Sequence, residues 1–188
     1  MHFTLYTADC RENARNICYP NPAAITTAAD LKKATAYDHV CAQYADGIRK
    51  EANFQFSDVL PMDCDNDHSD NPSDWLTPER LAQQLPDVAF AATYSRHHMQ
   101  AKGKYSARPR FHVFFPTAAC TNAATHKAIK QKIHKELPFF DGNALDAARF
   151  LFGCPSDVFW HEGSLSIEDW LTLMKSNRSI PQGQRNST

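Results

Sequence analysis

The chain has 188 residues, of which 43% are hydrophobic and 22% charged, and this composition predicts one globular domain or two small modules that share a core. The net charge is only −1 and no run of about 18 apolar residues occurs, which argues against a membrane-spanning protein and against a uniformly basic or acidic one. Six irregularly spaced cysteines without a Cys-x-x-Cys pair argue against a secreted disulfide framework.

In chain order, the sequence alternates between strand and helix patterns. Strands are expected over 2–7, 57–65, 88–95 and 110–115, the last of them stopped by Pro116. Helices are expected over 28–37, 77–85, 123–137 and 167–174, with Thr77 as the N-cap and Pro78 as the first helical residue of the second helix. Polar loops are expected over 8–22, 66–73 and 97–107. The pattern predicts an α/β (α+β) fold with helices packed on a mixed sheet.

The charges are unevenly distributed along the chain. Residues 57–87 contain eight acidic side chains and one basic one, whereas residues 88–135 contain nine lysines or arginines and no acid. An acidic block can bind cations and a basic block can bind phosphates, which together favour a metal–nucleotide substrate. The alternative is that both blocks are solvated faces without a ligand.

An acidic pair ends the second predicted strand. Because side chains alternate along a strand, Asp63 and Asp65 should share one face while Cys64 points to the other. A divalent ion between the carboxylates would relieve their repulsion, and Mg²⁺ and Mn²⁺ prefer such oxygen ligands. A calcium loop starting at Asp63 is disfavoured, because its sixth position would be His68 instead of Gly and its twelfth Asp74 instead of Glu.

A basic row opens the strand over 110–115. Arg108, Arg110 and His112 alternate and should share one face. Guanidinium groups match phosphate oxygens bidentately, so this row favours a triphosphate as its partner. The alternative is that the arginines lie on the surface and that His112 is a satisfied core histidine.

These motifs resemble those of the archaeo-eukaryotic primase (AEP) superfamily, in particular the primase-polymerases of phages, plasmids and other mobile elements. That family has a hydrophobic strand ending in an acidic pair, then a Ser-x-His motif opening a hydrophobic strand, then an apolar residue followed by Asp. VLPMDCD, RPRFHVFF and PFFD match these in order, and LDAARFLFG is similar to the family's downstream Arg-bearing segment. The resemblance covers the central half of the chain.

Two positions depart from the family pattern. Arg110 stands in place of the serine of the second motif, and the literal Ser95-Arg96-His97 is an alternative, although Ser95 ends a strand instead of opening one. The third acid is Asp141, which follows two phenylalanines, or Asp146, which lies three residues before Arg149. Both alternatives stay open at this point.

The resemblance implies an AEP-type catalytic core over 1–174, with an RRM-like palm module and an N-terminal α/β module, followed by a polar linker or tail over 175–188. It implies a DNA primase or polymerase that joins dNTPs or NTPs on a single-stranded DNA template and can start without a primer. We would then expect a cytoplasmic monomer, in a bacterial, archaeal or phage-infected cell, that works with a helicase domain or partner and not at a membrane.

The resemblance also implies roles for individual residues. Two Mg²⁺ or Mn²⁺ ions would be held by Asp63, Asp65 and either Asp141 or Asp146, next to His112. The residues expected around the nucleotide are Arg108, Arg110, His112, Arg149, Arg96, Lys102, Lys104, Ser95 and His97. Two other classes remain possible: a two-metal nuclease, which has no triphosphate to bind, and a non-catalytic DNA-binding replication-initiator module.

Overall fold

Residues 1–179, which the computed structural model describes, form eleven strands and four α-helices. The strands are β1 (Phe3–Thr7), β2 (Asn21–Ile25), β3 (His39–Val40), β4 (Gln43–Tyr44), β5 (Phe54–Cys64), β6 (Phe90–Tyr94), β7 (Gln100–Lys102), β8 (Tyr105–Arg108), β9 (Phe111–Cys120), β10 (Phe150–Leu151) and β11 (Val158–His161). The helices are α1 (Ala28–Ala34), α2 (Pro78–Gln84), α3 (Ala123–Glu136) and α4 (Ile167–Ser179).

The centre of the fold is a five-stranded antiparallel sheet in the order β11-β6-β9-β5-β4. Its long strands β5 and β9 pair so that Asp63 lies opposite His112 and Met62 opposite Val113. A second antiparallel sheet has the order β10-β3-β1-β2, and β7 and β8 form a separate hairpin. The predicted α/β fold class is therefore confirmed, with strands that pair antiparallel in both sheets where a mixed sheet was expected.

The two faces of the central sheet are covered by different layers. Leu60 and Met62 on one face belong to a hydrophobic cluster that includes side chains of α2, α3 and α4. Val59 and Phe114 on the other face pack with side chains of β1, β2 and α1, and the ring of Phe114 stacks on that of Phe3 at 6.1 Å between centroids. The alternation of the strands thus places α2, α3 and α4 on one side, and the N-terminal sheet with α1 on the other.

Side-chain caps are present at the starts of α1 and α2. Thr77 caps α2 through its hydroxyl, which accepts a hydrogen bond from the backbone N–H of Arg80, and Pro78 is the first helical residue. Thr27 forms a capping box with Asp30 at the start of α1. Each of these helices therefore begins where the sequence predicts.

Several boundaries differ from the prediction. α1 ends at Ala34 instead of 37, and β5 begins at Phe54 instead of 57. β9 continues past Pro116 to Cys120, which is possible because β6 pairs with β9 only as far as Phe114, and a proline lacking its N–H is tolerated on an edge. The expected polar loop over 97–107 contains the β7–β8 hairpin, whose turn holds Gly103 at a φ of +59°.

The last helix also differs from the prediction. α4 continues through Ser179, five residues past the expected helix end at 174, because each residue added to an existing helix gains one backbone hydrogen bond. The remainder of the predicted tail, 180–188, lies outside the described residues. Within 1–179, every helix is too short or too polar to traverse a lipid bilayer.

Candidate active site

The acidic pair lies at the end of β5, on the face opposite the helices. Cys64 is fully buried in the cluster beneath the helices, while Asp63 and Asp65 point the other way into a cavity. The Asp63 side chain is 8% exposed and that of Asp65 is 24% exposed. The predicted alternation of these three residues is thus observed.

Asp63 is held by two donors from different parts of the chain. Its Oδ1 lies 3.0 Å from Nδ1 of His112 on β9, and its Oδ2 accepts a hydrogen bond from Nη2 of Arg149 at 2.5 Å. Burial would raise the pKa of Asp63, but the interactions with His112 and Arg149 outweigh burial and hold this pKa well below its usual range. The charge of Asp63 in turn raises the pKa of Arg149 against the effect of desolvation. The group is therefore a compact carboxylate–imidazole–guanidinium cluster.

Beyond the ends of β5 and β9, residues that the antiparallel register places opposite each other form ion pairs. Nε of Arg110 lies 3.8 Å from Oδ1 of Asp65, and Nη1 of Arg108 lies 3.9 Å from Oδ1 of Asp67. Arg108 also donates to Asp70 at 2.9 Å. The basic row is thus matched by an acidic row on the neighbouring segment.

This pairing corrects the expected position of two arginines. The side chains of Arg108 and Arg110 are fully buried and do not line the cavity. Arg108 donates to the carbonyls of Asn66 and Ser69, and Arg110 donates to the carbonyl of Gln100 at 2.8 Å. Buried guanidinium groups need such partners, so in this structure these arginines fasten the acidic loop and the β7–β8 hairpin to the sheet.

A cavity of about 190 Å³ opens between the central sheet and the N-terminal sheet. Small-molecule sites usually start at roughly 300 Å³, so this cavity is smaller than a typical site that encloses a whole ligand. Its lining combines carboxylates, cations and an apolar wall: Asp63, Asp65, Ser95, Arg96, His97, Lys102, His112, Arg149, Phe150, Leu151 and Phe152. Eight of the predicted site residues meet here.

The cationic side of the cavity comes from the loop after β6 and from the β7–β8 hairpin. Lys102 donates to Oδ2 of Asp65 at 2.6 Å, and the guanidinium of Arg96 lies 3.7 Å from the ring centroid of Phe152. Desolvation and the charges of Arg96 and Lys102 lower the pKa of His97. Both candidates for the second motif, His112 and Ser95-Arg96-His97, therefore reach the same cavity.

The two candidates for the third acid lie in different places. The backbone N–H of Asp141 donates to the carbonyl of Asp63 at 2.8 Å, and Asp141 lines a second cavity of about 490 Å³ that shares Asp65 and Lys102 with the first. Its carboxylate accepts from the backbone and side chain of Asn143. Asp146 lines neither of these cavities, and its carboxylate accepts from the backbone N–H of Ala148 at 3.0 Å.

The expected three-carboxylate metal centre is not assembled in this conformation. Within 1–179, no three His, Cys, Asp or Glu side chains are grouped so that they could hold one ion. The donor chemistry of Asp63 and Asp65 fits a divalent ion, since both are carboxylates on one strand face. Three of their four oxygens, however, are paired with His112, Arg149 and Lys102.

Two further residue sets depart from the predictions. Lys104 lies outside the first cavity, with its ammonium 5.1 Å from the ring centroid of Tyr105. Phe150, Leu151 and Phe152 form the apolar wall of the cavity and were not singled out in the sequence. Their only signal was their position directly after Arg149.

Comparisons with known proteins give a limited result. No family model matches the sequence, and no curated protein is similar to it. Among solved structures, the AEP domain of the cyanophage S-2L primase-polymerase (PrimPol) is similar, with 14% sequence identity and a TM-score of 0.47, over 92% of this chain and 87% of that chain. A similarity at this level shows neither a family nor an activity for this chain. The evidence on function comes from the residues of the cavity.

Proposed function

We propose that this chain is a nucleotidyltransferase domain of the primase-polymerase type, which joins nucleoside triphosphates on a single-stranded DNA template. The observation that carries the proposal is the single cavity in which Asp63 and Asp65 face the cations Arg96, Lys102 and Arg149. Phosphoryl transfer depends mainly on positioning and on neutralising charge. A cavity with both carboxylates and guanidinium groups supplies ligands for ions and for phosphates together.

The carboxylates of the cavity contact three of its basic side chains. Asp63 contacts His112 and Arg149, and Asp65 pairs with Lys102, while the guanidinium of Arg96 lies over the ring of Phe152. Asp63 and Asp65 would hold the ions of a metal-bound triphosphate, and Arg149 and Lys102 would bind its phosphate oxygens. The presence of carboxylates and cations in one cavity favours a ligand that carries both signs of charge over a bare anion or a bare cation.

Two Mg²⁺ or Mn²⁺ ions would supply activation of the attacking hydroxyl and neutralisation of the triphosphate. Asp63 and Asp65 are the ligands that the proposal assigns first. Asp141 is preferred over Asp146 as the third, because it lies beside Asp63 in the backbone and shares a cavity wall with Asp65. His112 orients Asp63, and Arg96, Lys102 and Arg149 bind the triphosphate.

A primer-free synthesis assay tests the proposal. The full chain is incubated with single-stranded DNA and Mn²⁺, with NTPs and dNTPs in separate reactions, and product length is measured. We expect new strands from the wild type, and none from Asp63→Ala or Asp65→Ala, while Asp87→Ala, which changes an exposed carboxylate, retains activity. Full synthesis by either of the first two variants would contradict the assignment of these ligands.

The same reactions separate the alternatives. Loss of labelled DNA with metal but without nucleotides indicates a nuclease. DNA binding that weakens steeply with salt, without any metal-dependent binding of dNTP, indicates a replication-initiator module. Extension of a supplied primer without primer-free products would retain the polymerase and remove the priming activity from the proposal.

A further inference from the structure

The segment that leads into Arg149 is held through its backbone carbonyls by side chains from other elements. Nζ of Lys130, on α3, donates to the carbonyls of Ala144 at 2.8 Å and Asp146 at 3.2 Å. The hydroxyl of Tyr44, on β4, donates to the carbonyl of Ala147 at 2.7 Å. Nη1 of Arg49 donates to the carbonyl of Ala148 at 3.0 Å. Four carbonyls of the segment 144–148 thus accept from three separate side chains.

These contacts replace the secondary structure that the segment lacks. Residues 141–149 form neither helix nor strand, so their carbonyls have no ladder partner. Lys130 is fully buried, and desolvation lowers the pKa of its ammonium to about 8 although Asp63 and Asp146 act in the opposite direction. Burying an ammonium group is costly unless it is well hydrogen-bonded. Lys130 therefore requires the carbonyls of the segment as acceptors, and these carbonyls require Lys130 as a donor.

Arg149 depends on this backbone for its position. Its only hydrogen bond found among the described residues is the one from Nη2 to Asp63, while its buried Nε has no partner there. The guanidinium is therefore held by Asp63, and the backbone of Arg149 lies between the segment 144–148 and β10, which pairs with β3. We expect a shift of the segment 144–148 to move the guanidinium away from Asp63.

We propose that Lys130 and Tyr44 are positioning residues, which hold the segment 144–148 so that Arg149 projects into the cavity at the distance needed to bind a triphosphate. The inference rests on the proposed function and assigns to it two residues that do not line the cavity. Lys130 and Tyr44 hold the backbone of this segment, and Arg149 makes the contact with the ligand.

The test is a set of double-mutant cycles on the full chain, read as the affinity for Mn²⁺–dATP by calorimetric titration. We expect Lys130→Met to weaken binding about tenfold and Tyr44→Phe about fivefold, because the first removes a charged donor and the second a neutral one. Lys132→Met, which changes an exposed lysine of the same helix, is the matched control and should leave the affinity unchanged.

The decisive comparison is with Arg149→Ala. If Lys130 and Tyr44 act through Arg149, adding Lys130→Met or Tyr44→Phe to Arg149→Ala causes no further loss of affinity. Losses that multiply in the double variants would overturn the inference, because they would show an effect independent of Arg149. Tyr44→Phe removes one oxygen atom and keeps the ring. The double-mutant cycle can therefore be measured with Tyr44→Phe even if Lys130→Met does not fold.

A wild-type chain that fails to bind Mn²⁺–dATP would count against the proposed function alone. The positioning role is then decided by urea unfolding of the same variants. If the midpoint shift of a double variant with Arg149→Ala is smaller than the sum of the two single shifts, then Tyr44 and Lys130 act on the same segment as Arg149. Additive midpoint shifts would overturn the inference.

Discussion

Replacing Asp63 with asparagine removes the negative charge at the centre of the site and keeps the shape of the side chain. The carboxylate now accepts hydrogen bonds from His112 at 3.0 Å and Arg149 at 2.5 Å. Bonds to a charged group contribute about 1.5–3 kcal/mol each and neutral ones about 0.5–1.5 kcal/mol. We therefore expect Asp63→Asn to lower the free energy of unfolding by about 2 kcal/mol at pH 7. Domains are usually stable by roughly 5–15 kcal/mol, so the variant should still fold.

The pH dependence of this loss follows from the pKa of Asp63. Burial alone would raise that pKa, but His112 and Arg149 hold it below its ordinary value of 3.8. A carboxyl group whose pKa is lower in the folded state adds stability above its unfolded pKa, and loses that stability as the pH falls towards its folded pKa. Asparagine does not titrate. The difference between wild type and Asp63→Asn should therefore shrink below about pH 4, by about 1 kcal/mol at pH 3.

Urea unfolding of both proteins at pH 7, 4 and 3 measures this difference. Asp87→Asn, which changes an exposed carboxylate, is the control and should show a small difference from wild type at every pH. A gap between wild type and Asp63→Asn that is equal at pH 7 and pH 3 would refute the reasoning, because it would mean that the folded state does not lower the pKa of Asp63.

Three further predictions follow from the same site. His112→Ala should weaken dNTP binding more than template binding in parallel filter-binding assays, and equal losses would instead indicate a packing role. Phe152→Ala removes the ring under Arg96, and because a cation–π contact contributes about 1 kcal/mol, the Kd for Mn²⁺–dNTP should rise about fivefold. Arg108→Met removes a fully buried guanidinium that donates to the carbonyls of Asn66 and Ser69 and should lower the free energy of unfolding by about 2 kcal/mol in urea melts, whereas Lys104→Met should change it by less than about 0.5 kcal/mol.

The acidic pair could be predicted from the sequence because its geometry is local. Strand alternation alone places Asp63 and Asp65 on one side and Cys64 on the other. The cap at Thr77 is equally local, since it depends on a hydroxyl and an N–H three residues apart. Features that depend on one continuous stretch of backbone could thus be predicted from the sequence.

The environment of the basic row could not be predicted from that row alone. Alternation correctly put Arg110 and His112 on one face, but the partner of each cation depends on how β5 and β9 are aligned. With Asp63 opposite His112, the same alignment brings Asp65 to Arg110 and Asp67 to Arg108. The carboxylates of the acidic loop are therefore the partners of guanidinium groups for which the sequence predicted a triphosphate.

The apolar wall of the cavity depends on contacts distant in sequence. β10 pairs with β3, more than a hundred residues earlier in the chain, so that Leu151 lies opposite His39. This pairing brings Phe150 and Phe152 to the cavity. Two-residue strands are too short to show a periodic pattern, so the position of these residues after Arg149 was the one indication of the wall.

The position of the cavity follows from a change along one face of the central sheet. Where Val59 and Phe114 lie, this face is apolar and the N-terminal sheet packs on it. Further along the same face, Asp63 and His112 replace the apolar side chains, and the covering layer is reduced to β10 and the residues that flank it. Charged groups at such a boundary have the core on one side, where the low dielectric strengthens their interactions, and an opening to solvent on the other. The packing that fixes the fold thus also gives Asp63 the strong pairing with His112 and Arg149 on which its depressed pKa depends.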